Sequence, residues 1–213
     1  MASCPCTDGA PILAALIKVI QENKQYLSDI DGQIGDGDHG INMNKGFTLT
    51  AAALEEEPGD LFHGFKTLSQ VLMTQIGGSM GPLYGMFFKA LAKGCKGAQT
   101  LDAAIFGAML SGAKDKVLTI SGAQVGDKTL LDVLIPAQEA YQQAVEDGAD
   151  FTDALDAMSK AAEKGRDATE AMIAKVGRSS CLGERSRGVI DAGAASCCLI
   201  LNTLAQTISA QCG

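Results

Sequence analysis

Ile12, Leu13, Leu16, Ile17 and Ile20 return at intervals of three and four residues, with Lys18, Gln21 and Glu22 on the opposite side. That spacing predicts an amphipathic helix, and Pro11 suits its first turn, where the missing N–H costs nothing. A second helix is expected from about Ile41 to Leu54, ended by Glu55-Glu56-Glu57-Pro58-Gly59-Asp60, which reads as a stop, a turn and a new cap. The third runs from Leu61 to about Gln75 and is broken by Gly77-Gly78-Ser79-Met80-Gly81-Pro82. The fourth resumes from Leu83 to Lys93, with Leu83, Phe87 and Leu91 four apart. Thr100 can cap a fifth helix through about Val117, and Thr129 a sixth through about Val145. Asp150 to Lys175 reads as a long seventh, and Ile190 to Ile208 as the eighth. No segment alternates with period two, and no linker or repeat interrupts the series. The pattern predicts an all-α fold of eight helices in one domain over residues 1–213, with residues 1–8 a flexible leading segment.

The polar and glycine-bearing residues gather in four connections: Asp29 to Asn44, Gly77 to Pro82, Ser121 to Thr129 and Gly177 to Gly193. These separate helices one and two, three and four, five and six, and seven and eight. Alternate connections of an antiparallel bundle share one end, so all four are expected to meet there as one composite site.

Composition narrows the class. Hydrophobic residues make up 46% of the chain and tryptophan is absent, which with abundant Ala and Gly favours close-packed helices over sheet. The net charge of −8 argues against a nucleic-acid partner, which wants a basic face, and against an anionic membrane surface. It leaves room for an anionic ligand, because a bound metal reverses the local sign. Seven cysteines at irregular spacing, with no basic-then-apolar leader, read as reduced thiols of a cytoplasmic protein. Cys197 and Cys198 read as packing residues, and Cys4 and Cys6 as belonging to a mobile terminus.

The chemistry concentrates where Asp29, Asp31, Asp36 and Asp38 fall within ten positions, the last two in Gly35-Asp36-Gly37-Asp38-His39-Gly40. Carboxylates this close repel unless a cation or proton lies between them, and glycine lets them converge. An all-oxygen donor set selects a hard cation, Mg²⁺ above all where phosphate completes the shell. Neither register of the loop fits a calcium EF-hand, and no Walker A ending is present. Gly78, Ser79 and Met80 lead into a helix whose backbone N–H groups could hold phosphate oxygens. Arg178, Arg185 and Arg187 crowd one short polar loop, and arginine presents a donor fork suited to phosphate, although surface ion pairing is an equal reading for any one of them. Lys128 is expected to face solvent and Asp132 to serve structure. His63 reads as a core-edge histidine, and His39 as a phosphate contact or a packing residue rather than a metal ligand.

Four signatures occur in order: Ile34-Gly-Asp-Gly-Asp-His-Gly-Ile-Asn-Met43, Gly77-Gly-Ser-Met-Gly-Pro-Leu-Tyr-Gly85, Gly126-Asp-Lys-Thr-Leu-Leu-Asp132 and Leu182-Gly-Glu-Arg-Ser-Arg-Gly-Val-Ile-Asp-Ala-Gly-Ala194. In these the chain resembles the L subunit, the nucleotide-binding domain, of dihydroxyacetone kinases. The resemblance implies a barrel of eight antiparallel helices with the nucleotide at one end. It implies metal ligation by Asp31, Asp36 and Asp38, which would hold two Mg²⁺ ions bridging the phosphates of ADP or ATP. His39, Gly40, Ile41 and Asn42, then Gly78, Ser79 and Met80, match phosphate and nucleotide contacts. Gly122 and Leu130 match positions on the adenine side, and Arg178 with Asp191, Ala192 and Gly193 match the remaining contacts. Asp31, Asp36, Asp38, His39 and Arg178 are the residues implied in phosphoryl transfer.

The resemblance also implies a partner K subunit carrying dihydroxyacetone or a related short ketose, a place in glycerol metabolism, and a possible homodimer. Phosphate would come either from exchangeable ATP or, through a fixed ADP, from a phosphohistidine protein of the phosphoenolpyruvate phosphotransferase system. A non-catalytic nucleotide-binding regulator and a kinase domain for another acceptor, such as a fatty acid, are the alternatives. The chain departs from the family at Met80, where a small hydroxyl residue is common, at Ala192, where proline is, and at Cys181, where an aromatic is.

Overall fold

A computed structural model describes residues 3–212. The helices run α1 (Ala10–Glu22), α2 (Lys24–Ile34), α3 (His39–Glu56), α4 (Leu61–Gln75), α5 (Met80–Cys95), α6 (Ala103–Ser121), α7 (Leu131–Glu146), α8 (Phe151–Ala168) and α9 (Ala192–Gln211). Two short 3₁₀ turns, Thr169–Ala171 and Arg178–Ser186, occupy the α8–α9 connection.

Each helix packs on its neighbour in sequence, and α1 and α2 return to pack on both α3 and α9, so the ring closes. The fold is a closed helical barrel, as the resemblance implied. It has nine helices rather than eight among the described residues. The added one, α2, buries Leu27, Ile30 and Ile34 on one face, a three-and-four spacing hidden among charged neighbours. Only Asn23 interrupts the rod formed by α1 and α2, and its side chain donates to the Val19 carbonyl at 2.8 Å. Eight rods therefore still make the barrel, and the acidic stretch starts on a helix instead of in a loop.

The interior is mainly apolar. Phe88 meets Phe47, Phe65 and Phe87 at centroid distances of 5.9, 6.0 and 5.0 Å, within the range of favourable ring pairs. The long seventh helix expected through Lys175 stops at Ala168. The fifth is capped by Asp102 rather than Thr100, because Thr100–Leu101 (β2) pairs antiparallel with Cys4–Pro5 (β1).

That pairing corrects the expectation of a flexible segment over residues 1–8. Cys4 and Cys6 are 1% and 2% exposed, and the Cys6 carbonyl accepts the Leu61 N–H at 3.0 Å, so two thiols buried against the barrel floor hold the segment down. Met1 and Ala2 lie outside the described residues. All seven cysteines are free. α9 is long and apolar enough to cross a membrane by length and composition, but 61% of the qualifying window is buried in the barrel, where its apolar residues serve as core.

Candidate functional site

The α2–α3, α4–α5, α6–α7 and α8–α9 connections do meet at one end. There they line a cavity of about 470 Å³, within the roughly 300–1,000 Å³ usual for small-molecule sites. Asp31, Asp36, Asp38 and His39 reach it from the first connection, Ser79 and Met80 from the second. Leu130 reaches it from the third, and Arg178, Asp191, Ala192 and Gly193 from the fourth. The other residues singled out from the sequence, Gly40, Ile41, Asn42, Gly78 and Gly122, stand beside these in the chain but do not line the cavity. Ile41 is 53% exposed on the outside of α3.

Asp31 lies in the last turn of α2, while Asp36 and Asp38 flank Gly37, whose φ of 75° turns the chain back. One carboxylate oxygen from each of the three lies within 4.8 Å of the others. Burial, then the Asp36 and Asp31 charges, raise the Asp38 pKa. An uncompensated triad of this kind calls for a cation, and Arg178 reaches across from the far connection to form an ion pair with Asp36. The donor set and the cationic side chain already drawn to it both fit a hard metal ion with a phosphate beside it. Asp29, the fourth acidic residue, faces away and accepts from Gln25 at 2.7 Å. Gly40 lets α2 and α3 touch, since a Cβ there would collide with the Lys24 carbonyl and come within 2.8 Å of the Ser28 backbone N.

Helix starts are finished in two ways. Asp60, Asp102 and Asp150 cap α4, α6 and α8 at the far end, and Asp191 caps α9 at the cavity end. Asp38 and Ser79, also at the cavity end, hold the cap positions of α3 and α5 but make no capping bond. The His39 N–H is taken by Asp31 at 3.3 Å, the remaining first-turn N–H groups there are left for a ligand, and the helix dipoles favour an anion.

His39 is held from behind. Ser196 Oγ lies 2.6 Å from the Tyr84 hydroxyl and 2.8 Å from His39 Nε2, and the Ala192 and Gly193 carbonyls accept from the hydroxyls of this network. Burial lowers the His39 pKa to about 4, so the imidazole is neutral. Ser196 and Tyr84 went unnoticed in the sequence, one in an apolar run and the other beside a glycine turn. Lys128, expected at the surface, is 1% exposed, and its ammonium donates to three backbone carbonyls. Asp132 does serve structure, accepting from the Gly126 and Thr129 N–H groups.

Comparison with known proteins gives the family of the chain. The DAK2 domain matches residues 33–206. The ADP-binding subunit DhaL of PEP-dependent dihydroxyacetone kinase 1 from Listeria innocua is 39% identical over 88% of this chain and 89% of its own length. The corresponding PEP-dependent subunit of Escherichia coli is 36% identical over 88% and 90%. The L-erythrulose kinase of Pectobacterium atrosepticum is 33% identical over 94% of this chain but only 34% of its own. Among solved structures, the dihydroxyacetone kinase of C. freundii in complex with AMP-PNP and Mg²⁺ superposes with a TM-score of 0.69 at 24% identity. It covers 93% of this chain and 33% of that one, a likeness of fold.

Proposed function

The chain belongs to the DAK2 domain family, and from that membership we propose that it is the ADP-holding subunit of a dihydroxyacetone kinase, relaying phosphate to a short ketose on a separate K subunit. The observation that carries this reading is the meeting, in one cavity, of the Asp31–Asp36–Asp38 triad, Arg178 and the uncapped starts of α3 and α5. Phosphoryl transfer asks for positioning and charge neutralisation more than for covalent chemistry.

In this reading Asp31, Asp36 and Asp38 would hold a pair of Mg²⁺ ions, which would supply neutralising charge to the phosphates. Arg178 exchanges its bond to Asp36 for a phosphate oxygen. The N–H groups around Ser79 and Met80 hold further oxygens, so the side chain at Met80 is not needed for that contact. His39, neutral, meets the phosphates without adding charge. Leu130, Ala192 and Gly193 form the apolar wall on the base side, with Gly122 and Ile41 at the rim. Three PEP- and PTS-dependent ADP-binding subunits at 39, 37 and 36% identity, against the erythrulose kinases at 33, 30 and 30%, favour a fixed ADP recharged by a phosphohistidine protein. Ile41, Ile120 and Val125, exposed around the cavity end at 53, 42 and 47%, suit docking of the K subunit there.

The test is calorimetry on the full chain with ADP and ATP, with and without Mg²⁺, beside Asp36→Ala. Magnesium-dependent ADP binding that vanishes in the variant is the expected result. Binding that is indifferent to Asp36 would sink the reading, and weak, exchangeable ATP in place of tight ADP would turn it towards an ATP-fed kinase.

A further inference from the structure

Among the described residues Lys128 is the one non-glycine with positive φ (65°), a conformation that a side chain tolerates only where its surroundings enforce it. Those surroundings are unusual. The ammonium is buried and donates to the carbonyls of Ser186 (2.6 Å), Val189 (2.6 Å) and Met172 (3.3 Å). An ammonium has three N–H groups and no acceptor, so all three are spent on backbone. Lys128 lines the cavity wall yet has no donor left for a ligand.

The three carbonyls stand on both sides of one excursion. The chain leaves at Met172, passes through Gly177 (φ 72°) and Arg178, and returns at Ser186 and Val189. One cation therefore closes the base of the loop that carries Arg178. Other ties reinforce the base. The Lys175 N–H donates to the Asp127 carbonyl at 3.1 Å, the Lys175 ammonium pairs with Asp127 at 3.3 Å, and the Gly188 N–H meets the Glu170 carbonyl at 2.8 Å. Beyond them, Arg178 projects with 72% of its side chain exposed and only Asp36 to meet it. The ammonium is itself presented by Asp132, whose carboxylate fixes the Gly126–Thr129 turn.

We propose that Lys128 is a positioning residue that acts through the 172–189 loop to hold Arg178 over the aspartate triad and makes no contact with the nucleotide. The proposal rests on the reading of Arg178 as a phosphate-facing group. A lysine that served only the fold, or that touched phosphate, would act independently of Arg178.

The experiment is a double-mutant cycle on the full chain, reading Mg-ADP affinity for wild type, Lys128→Met, Arg178→Ala and the pair. Limited trypsin cleavage at Arg178 and Arg185 is followed by mass spectrometry alongside. Lys128→Met is expected to weaken binding roughly ten-fold, and to add less than about two-fold on the Arg178→Ala background. Cleavage within the loop should quicken while cuts elsewhere stay unchanged. Equal factors on both backgrounds, or unchanged binding by Lys128→Met, overturn the proposal. If Arg178→Ala binds as wild type does, the reading of the site fails, and loop cleavage alone decides whether Lys128 closes the loop. Should Lys128→Met not fold, Lys128→Arg takes its place, since it keeps the charge but cannot aim three N–H groups at one point.

Discussion

At the start of α9 the Asp191 carboxylate accepts the Ala194 N–H at 2.8 Å, a bond that favours its ionised form. Burial works against that bond and wins, raising the Asp191 pKa to about 7. The group binds its proton more tightly folded than unfolded. Its contribution to stability is therefore full below its ordinary value near 3.8 and lost as pH rises through about 7. Asn can cap a helix without ionising. The melting temperature of Asp191→Asn, compared with wild type, is expected to gain by several degrees between about pH 5 and pH 8. A constant difference across that range would mean that Asp191 titrates normally. Gly40 gives a second prediction at this scale. Gly40→Ala drives a methyl into the Lys24 carbonyl. Overpacking of this kind costs about 1–3 kcal/mol, visible as a lower urea midpoint. The same shift of α3 against α2 should weaken Mg-ADP binding, because it separates Asp31 from Asp38.

Helices in this barrel are finished in two ways. Asp60, Asp102 and Asp150 close α4, α6 and α8 at the far end, each accepting from the third residue on. Asp102→Ala is expected to cost about 1 kcal/mol in urea unfolding and to leave nucleotide affinity unchanged. The same oxygen-bearing residues stand at the starts of α3 and α5, yet Asp38 and Ser79 turn away from capping. Asp191, at the same end, does cap α9, so the end of the barrel does not by itself say whether such a residue serves as a cap. This is why the element boundaries were legible, with α4 matching Leu61–Gln75, while the use made of the cap residues was not.

Ligand binding couples the cavity to the whole molecule, because four of the connections that close the barrel also line the site. A ligand at about 100 times its dissociation constant adds roughly 2.7 kcal/mol to the folded state. For a chain of this size that corresponds to a rise in melting temperature of about 5–10 °C. Mg-ADP is expected to produce that rise in wild type and none in Asp36→Ala, by differential scanning fluorimetry. A full rise in the variant would move the metal away from the triad.

The helical class, most helix limits, the acidic triad and the gathering of four connections at one end are legible in the chain alone. These are properties of spacing along the chain: apolar residues at three and four mark a buried face, and antiparallel rods must alternate ends. α2 was missed, because Leu27, Ile30 and Ile34 stand among polar and charged residues that read as a loop. Only the tertiary structure decided the rest. Lys128 reads as an exposed residue in a turn because the carbonyls that receive it come from 44, 58 and 61 positions away. His39 and Ser196 meet across 157 positions, and Cys4 and Cys6 are buried by a strand pairing with Thr100 and Leu101. Burial of a cation, a neutral imidazole or a terminal thiol depends on which distant backbone closes over it, and no periodicity in the chain records that.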